Sequence, residues 1–204
     1  MLPAPELQLV TPHLAFWHTY DSASKSELFS TAAVDDAGRI LIVDPVPLVP
    51  EVRTELLRLG TVQAIAVTNV NHWRGAAEFS TDFNAPIFAR SRPDPEIPGP
   101  IEPAAHLEKL FAGLAAIHID GAAPGEMALH FPKDEGTLIV GDSLIHFDPY
   151  GLALLPKKYC GNQEAMRRSL RQLLAPKSSR IFFAHGLPIL NQAMLRLQNL
   201  LDDE

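Results

Sequence analysis

The chain has 204 residues, of which 47% are hydrophobic and 20% charged, and its formal net charge is −7 at pH 7. This composition is typical of a soluble globular protein with enough apolar material for a buried core. The acidic balance argues against a nucleic-acid-binding protein. No apolar run approaches the roughly 20 residues that span a bilayer, and the N-terminus does not resemble a secretory signal. We therefore expect a cytoplasmic protein with a small-molecule substrate or ligand and no nucleic-acid or membrane partner.

The first half of the sequence predicts a hairpin followed by strands that alternate with helices. Two apolar strands flank the turn Asp35-Asp36-Ala37-Gly38, a typical hairpin signal. Proline excludes helix and inner strand from the last segment of this half, which is predicted to be a surface loop. In chain order we expect strands at Phe29–Val34 and Arg39–Val43, a helix at Val49–Leu59, a strand at Val62–Thr68, a helix at Trp73–Asp82, a strand at Pro86–Arg90 and the loop Ser91–Pro103.

The second half repeats this arrangement, because strands come first and helices follow. The expected elements are strands at Leu114–Ile119, Met127–Phe131 and Thr137–Val140, a helix at Asn162–Leu174, a strand at Arg180–Ala184 and a helix at Ile189–Leu201. Two such halves, each a sheet with helices outside, predict two sheets packed face to face between helix layers. The fold class is therefore α/β (α+β), a four-layer αββα sandwich, with residues 1–204 forming one domain.

Three of the predicted strands are followed by residues that can bind a metal ion. His72 lies in the loop after one strand, Asp142 lies in LIVGDS, and His185 lies in IFFAHG. A strand end leaves its side chains at an open rim, which is where α/β proteins build sites. Two histidines, one carboxylate and an open fourth position are typical of a catalytic zinc centre, and the same set suits iron or manganese.

Five stretches of the sequence resemble the metallo-β-lactamase-fold superfamily, in the order and at the spacing found there. ILIVDP resembles an early strand that ends in Asp, and TNVNHWRGA stands in the place of the metal loop T-H-x-H-x-D-H-x-G-G-A. DGAAPGEMALHF resembles the segment G-H-T-P-G with its following strand. LIVGDS and FFAHGLP resemble the Gly-Asp and Gly-His-Gly strand ends. The resemblance runs from about Phe29 to Leu190 and implies the four-layer sandwich and metal-dependent hydrolysis.

The departures from that pattern argue against a dinuclear site. Aligned without a gap, Asn69 and Asn71 replace the H-x-H pair, and His72 occupies a spacer position. Aligned with a two-residue deletion, Asn71 replaces the Asp of the Asp-His pair and His72 is retained. Ala122 stands where the G-H-T-P-G segment has its ligand histidine, so the resemblance implies at most one metal, held by His72, Asp142 and His185.

We expect His72 and Asp142 to be the catalytic residues and four residues of the metal loop to contact substrate. These are Asn69, Asn71, Trp73 and Arg74. The amide of Asn71 is suited to orienting water or substrate, and an indole beside a guanidinium is suited to an anionic or aromatic group. The alternative is that Trp73 packs into the core and Arg74 pairs with Glu78 along the helix.

Two functions are compatible with these residues. The first is a hydrolase with at most one metal ion (zinc, iron or manganese) that activates water against a small ester, amide, thioester or phosphoester. The second is a metal-free ligand-binding or regulatory protein that has kept the fold and lost the chemistry. His146 with Asp148 is a further candidate at the same rim, and Glu126 is a candidate acid or base.

Overall fold

The computed structural model describes residues 1–90, 101–110 and 113–203, and most of its strands lie in two sheets. One sheet has seven strands in chain order, β1 to β7, and the other has the order β13-β10-β9-β8. The strands β11 and β12 form a separate hairpin. The strands are β1 Gln8–Thr11, β2 Leu14–Asp21, β3 Ser26–Val34, β4 Arg39–Val43, β5 Thr61–Val67, β6 Ile87–Ala89, β7 Ile101–Pro103, β8 Ala115–His118, β9 Met127–Phe131, β10 Thr137–Val140, β11 Leu144–Phe147, β12 Gly151–Leu154 and β13 Arg180–Phe183.

Helices cover the outer faces of both sheets. The α-helices are α1 Pro50–Arg58, α2 Ala76–Phe83, α3 Gln163–Leu170 and α4 Ala193–Asp202, and short 3-10 helices lie at Lys157–Tyr159 and Arg171–Leu174. None of the helices in the described part of the chain has the length and apolar character needed to cross a membrane.

The alternation of side chains along the strands sorts the core into three apolar layers. Along β4, Leu41 faces the four-stranded sheet, where it joins Leu129 and Phe182 in one buried cluster. Its neighbours Ile40 and Ile42 point the other way and pack with residues of α1 and α2. A third cluster joins the outer face of the four-stranded sheet to α3 and α4. This order of layers confirms the αββα sandwich predicted from the sequence, while its extent as a single domain stays a prediction.

The predicted hairpin turn is confirmed, and the contacts of its side chains explain why this sequence forms it. The Asp35 carboxylate accepts hydrogen bonds from the backbone N–H groups of Ala37 and Arg39 at 3.0 and 2.9 Å, and it pairs with the Arg39 guanidinium. Gly38 has a φ of +69°, which glycine adopts without steric cost. The side chain of Asp35 thus closes the turn that sets the register between β3 and β4.

Two predicted helices begin later than expected because a residue with positive φ precedes each. Arg74 has a φ of +33° and Gln192 a φ of +52°, so the helical conformation starts only at Ala76 and Ala193. The last three residues of the predicted loop Ser91–Pro103 form the edge strand β7 instead. Positions 91–100 of that loop lie outside the described residues.

Gly136 lies in the turn between β9 and β10. Its substitution tests how closely this turn approaches the loop before β13, which contains Lys177. A Cβ at Gly136 would lie 2.1 Å from the Lys177 carbonyl oxygen, whereas a Cβ at Gly151 would meet no atom within 4 Å. Both glycines have similar positive φ angles, +80° and +72°. We expect Gly136→Ala to lower the free energy of unfolding by about 2–4 kcal/mol and Gly151→Ala by about 1–2 kcal/mol, measured by urea denaturation. Equal losses would contradict the close approach at Lys177.

The topology gathers four strand ends at one edge of the sandwich. β4 and β5 are parallel neighbours in one sheet, and β10 and β13 are parallel neighbours in the other. Parallel strands present their carboxyl ends at the same edge. Polar residues in the segments that follow these four strands therefore meet across the two sheets, and they form the candidate site.

Candidate metal centre

His72, Asp142 and His185 lie together at this edge. His72 Nε2 lies 3.1 Å from Asp142 Oδ1, and His185 Nε2 lies 3.3 Å from the same oxygen. One ligand atom from each residue falls within 4.8 Å of the other two. The two imidazoles and the carboxylate, which belong to the three residues that the sequence singled out, thus converge on one point.

Each of the two histidine side chains is held in place by further contacts. The Nδ1 atom of His72 lies 3.0 Å from the buried Asp44 carboxylate and 2.8 Å from Thr68 Oγ1. The Nδ1 atom of His185 lies 3.0 Å from the Glu27 carbonyl oxygen and 3.0 Å from Ser26 Oγ. These contacts turn both Nε2 atoms toward Asp142, which is the arrangement that orients histidine ligands in metal sites.

The second carboxylate oxygen of Asp142, Oδ2, is held by the buried amide of Asn69, which also contacts the buried carboxylate of Glu126. The Asn69 side-chain N–H group donates to Asp142 Oδ2 at 3.1 Å and to Glu126 Oε2 at 2.8 Å. Glu126 Oε1 accepts the backbone N–H of Ser143 at 2.8 Å. A Cβ at Gly141 would lie 2.7 Å from Thr68 Oγ1 and 2.9 Å from Glu126 Oε1, so the glycine before Asp142 lets this network close.

The electrostatics of the centre follow from burial and from the carboxylates on both sides of His72. Burial lowers the pKa of His72, but the charges of Asp44 and Asp142 outweigh it and raise the pKa to about 9. Burial raises the pKa of Asp142, and the nearby His72 and His185 bring it well below its usual range. Burial, together with the charge of Asp142, raises the pKa of Glu126 to about 7.

The metal-free protein is therefore expected to lose stability as the pH rises from 6.5 to 9. The folded state holds the His72 proton more tightly than the unfolded state, so this contribution is complete below pH 6.5 and is lost as the pH passes 9. The loss is on the order of 3 kcal/mol. Urea unfolding across this range in the presence of a chelator measures it, with His72→Gln as the control that should show a flatter profile. A stability independent of pH in the unsubstituted protein would contradict the proposed charge on His72.

A cavity of about 350 Å³ opens over the three residues and shows where the predicted substrate contacts lie. Asn71 is exposed, and Arg74 is half-buried. The cavity is lined by Met1, Asp21, Ser24, Leu28, Asn71, His72, Arg74, Asp142 and His185.

Asn69 and Trp73, the other two predicted contacts, are buried away from this cavity. Asn69 is 3% exposed and uses its amide within the Asp142 network. Trp73 packs into the core between the seven-stranded sheet and its helices, as the alternative from the sequence predicted. Its Nε1 atom has no hydrogen-bond partner among the described residues.

The alternative pairing of Arg74 with Glu78 is wrong. The Arg74 guanidinium donates to the Phe29 carbonyl at 2.8 Å and to the Asp44 carbonyl at 3.4 Å. Arg74 precedes α2 and has a positive φ, so the spacing of four residues along a helix does not apply to it. It instead ties Phe29 in β3 to Asp44, the residue after β4, and it also lines the cavity.

His146 and Asp148 lie beside a neighbouring cavity rather than with the three candidate ligands. His146 Nδ1 lies 2.7 Å from the Leu187 carbonyl oxygen. Among the described residues, His72, Asp142 and His185 are the group whose ligand atoms converge.

Sequence reasoning gave no role to Asp44 and Thr68, which orient His72. The sequence does contain a signal for these two residues, because each is polar and directly follows an apolar strand. Asp44 follows β4 and Thr68 follows β5, and these two strands are neighbours in the sheet. Ser26 is less recognisable, because it lies at the start of β3 and only the fold brings it to His185.

Known structures share this fold at low sequence identity. A metallo-beta-lactamase from Pontibacter korlensis is 13% identical, covers 98% of this chain and 99% of its own length, and gives a TM-score of 0.74. A metallo-beta-lactamase family protein from Thermus thermophilus is 18% identical, with 94% and 79% covered and a TM-score of 0.67. An archaeal superfamily protein from Sulfolobus tokodaii is 14% identical, with 87% and 81% covered and a TM-score of 0.63.

The family comparison agrees with the structural one. A search of curated protein sequences found no match. The family model described as the metallo-beta-lactamase superfamily matches residues 7–203, nearly the whole chain. The low identities to the known structures fit the replacements in the metal loop. The match over residues 7–203, together with the αββα sandwich, shows that the chain belongs to the metallo-β-lactamase superfamily as a divergent member.

Proposed function

We propose that the protein is a hydrolase with a single metal ion held by His72, Asp142 and His185. The convergence of two Nε2 atoms and one carboxylate oxygen within 4.8 Å is the observation that carries this proposal. Tetrahedral zinc with bonds of about 2.0–2.2 Å needs ligand atoms roughly 3.3–3.6 Å apart. The two Nε2–Oδ1 distances, 3.1 and 3.3 Å, are close to that separation.

The donor set also fits the chemistry of a catalytic centre. Three protein ligands would leave one coordination position of the ion for water or substrate, and the cavity lies over the same three residues. A divalent cation in such a position polarises a carbonyl or phosphoryl oxygen and lowers the pKa of water. Zinc is our first choice, and iron or manganese suits the same ligands. The substrate class is a small ester, amide, thioester or phosphoester.

The residues of the chain have distinct tasks in this proposal. His72, Asp142 and His185 would hold the ion that activates water, and the contact of Asp44 with His72 Nδ1 keeps the Nε2 atom of that ring aimed at Asp142. Asn71 lines the cavity with an exposed amide, which is suited to orienting substrate or water. Arg74 contributes positive charge to the same cavity wall.

A metal-free ligand-binding protein is the second candidate, and one feature favours it. His72 and Asp142 already form an ion pair at 3.1 Å, so the site is hydrogen-bonded without a cation. The presence of Asn69 in place of a ligand histidine points in the same direction.

Metal content separates the two candidates. The purified protein is dialysed against trace zinc, iron and manganese, and its metal is measured by elemental analysis. A single-metal hydrolase is expected to hold about one equivalent and to cleave at least one of a panel of chromogenic esters, thioesters and phosphoesters, with both properties lost in His72→Ala. Absence of metal under every condition would overturn the hydrolase and support the binding protein.

A further inference from the structure

A second cavity adjoins the metal centre on the other side of His185, and we call it the side cavity. It has a volume of about 530 Å³, and its walls include His18, Glu27, Phe29, Phe147, Asp148 and Leu187. The cavity is large enough for a phenylalkyl or short alkyl chain. Its position and its charges both bear on what it binds.

The wall between the side cavity and the metal centre is formed by His185 and the start of β3. The Glu27 carbonyl oxygen accepts a hydrogen bond from His185 Nδ1, while the Glu27 side chain faces the side cavity. Gly186, the residue after His185, also lines the side cavity. His185 lines the cavity over the metal centre and Gly186 lines the side cavity, so the two cavities are neighbours across one residue of the chain.

The lining combines aromatic surface with negative charge. The His18 ring stacks on Phe29 with centroids 4.7 Å apart, and Phe147 adds a third, half-buried aromatic ring. Glu27 and Asp148 contribute carboxylates, and the described lining residues include no Lys or Arg. Aromatic faces with carboxylates attract an ammonium group and disfavour an anion.

Glu27 is placed to recognise that ammonium group. Its Oε2 atom lies 2.8 Å from His18 Nδ1, which holds the side chain against the cavity wall. Its Oε1 atom makes no hydrogen bond within the described part of the chain, and 43% of the side chain is exposed. A cation in the side cavity therefore finds an oriented carboxylate oxygen that is free to accept.

We propose that the side cavity binds an apolar arm that ends in an ammonium group, as part of the substrate. This inference rests on the proposed function, which it narrows to esters, amides or thioesters that carry an amine. The reacting group lies over the metal centre, the alkyl or aryl arm lies along Phe147 and Leu187, and the ammonium group pairs with Glu27.

Binding of small probes tests the side cavity without any hydrolysis. The dissociation constants of 4-phenylbutylamine and 4-phenylbutyrate are measured by NMR titration of the full chain, together with the backbone amides that shift. We expect the amine to bind at least about tenfold more tightly and to shift the amides of His18 and Leu187. Glu27→Gln is expected to weaken amine binding about fivefold, while Glu55→Gln on the exposed face of α1 leaves it unchanged.

Equal binding of the two probes, shifts that map elsewhere, or an unaltered Glu27→Gln variant would overturn the side-cavity assignment. A hydrolysis arm keeps this outcome separate from the proposed function. Two esters, 4-nitrophenyl 6-aminohexanoate and 4-nitrophenyl hexanoate, are compared by their specificity constants on the metal-loaded protein. Cleavage of both esters without preference would support the hydrolase and contradict the amine-binding arm. Amine binding at His18 and Leu187 without cleavage of either ester would support the side cavity and contradict the hydrolase.

Discussion

Replacing Asp142 by asparagine is expected to remove zinc binding almost completely. Asp142 Oδ1 lies between the Nε2 atoms of His72 and His185, and it supplies the only negative charge among the three ligands. A neutral amide of the same shape is a far poorer ligand for a divalent cation. Since loss of an outer hydrogen-bond partner already costs roughly 10- to 100-fold in metal affinity, loss of this ligand should cost more than about 100-fold. Competition with a fluorescent zinc chelator measures the affinity.

The control for this prediction is a carboxylate remote from the site. Asp202 at the end of α4 pairs with Arg171 at the surface, so Asp202→Asn removes the same charge without touching the centre. We expect its zinc affinity to equal that of the unsubstituted protein. If Asp142→Asn kept its zinc, the ion would be bound elsewhere and the three-residue centre would be wrong.

The fold was largely predictable because its signals are local. The turn at Asp35–Gly38 and the apolar run of β4 determine a hairpin and a buried strand whatever surrounds them. The β11–β12 hairpin was missed because its strands have four residues each and are only partly buried, so neither shows a clear apolar pattern. β2 lies outside the predicted strands although it is mostly buried, since its run LAFWHTYD mixes apolar and polar residues without strict alternation.

The sequence pointed to the three candidate ligands but not to the residues that orient them. His72, Asp142 and His185 come after strands, so the end of each strand marks them in the sequence. The contacts that orient them join residues far apart in the chain, such as Ser26 with His185 and Asn69 with Glu126. Only the packing of the two sheets brings those pairs together, and no local sequence pattern predicts them.

The position of His72 also bears on how the metal loop aligns with its family. His72 Nε2 points at Asp142, which is the placement predicted by the alignment with a two-residue deletion. In that alignment Asn71 replaces an aspartate, and its exposed side chain lines the cavity. Of the two alignments, the one with the two-residue deletion therefore agrees with the observed position of His72.

Replacing Asp44 by asparagine is the second change with a large expected effect, and it acts on both folding and metal binding. Asp44 is 2% exposed and its carboxylate contacts His72 Nδ1, Thr68 Oγ1 and the Thr68 backbone N–H. Burial raises the pKa of Asp44, but the neighbouring His72 holds it below its usual range, so the group is charged in the folded protein. Breaking a buried pair from one side leaves the other charge uncompensated and costs about 3–5 kcal/mol.

The same substitution is expected to weaken zinc binding about 10- to 100-fold, because the His72 ring loses the partner that aims its Nε2 atom. Asp35→Asn is the matched control, since Asp35 is also largely buried and closes a turn with Arg39 far from the centre. It should lower the free energy of unfolding and leave zinc affinity unchanged. Urea unfolding and chelator competition on both variants separate the two effects. We expect stability to fall in both variants and zinc affinity to fall only in Asp44→Asn, and this result would attribute the loss of affinity to the orientation of His72 rather than to a general loosening of the fold. Equal affinities in the two variants would show that Asp44 supports the fold alone.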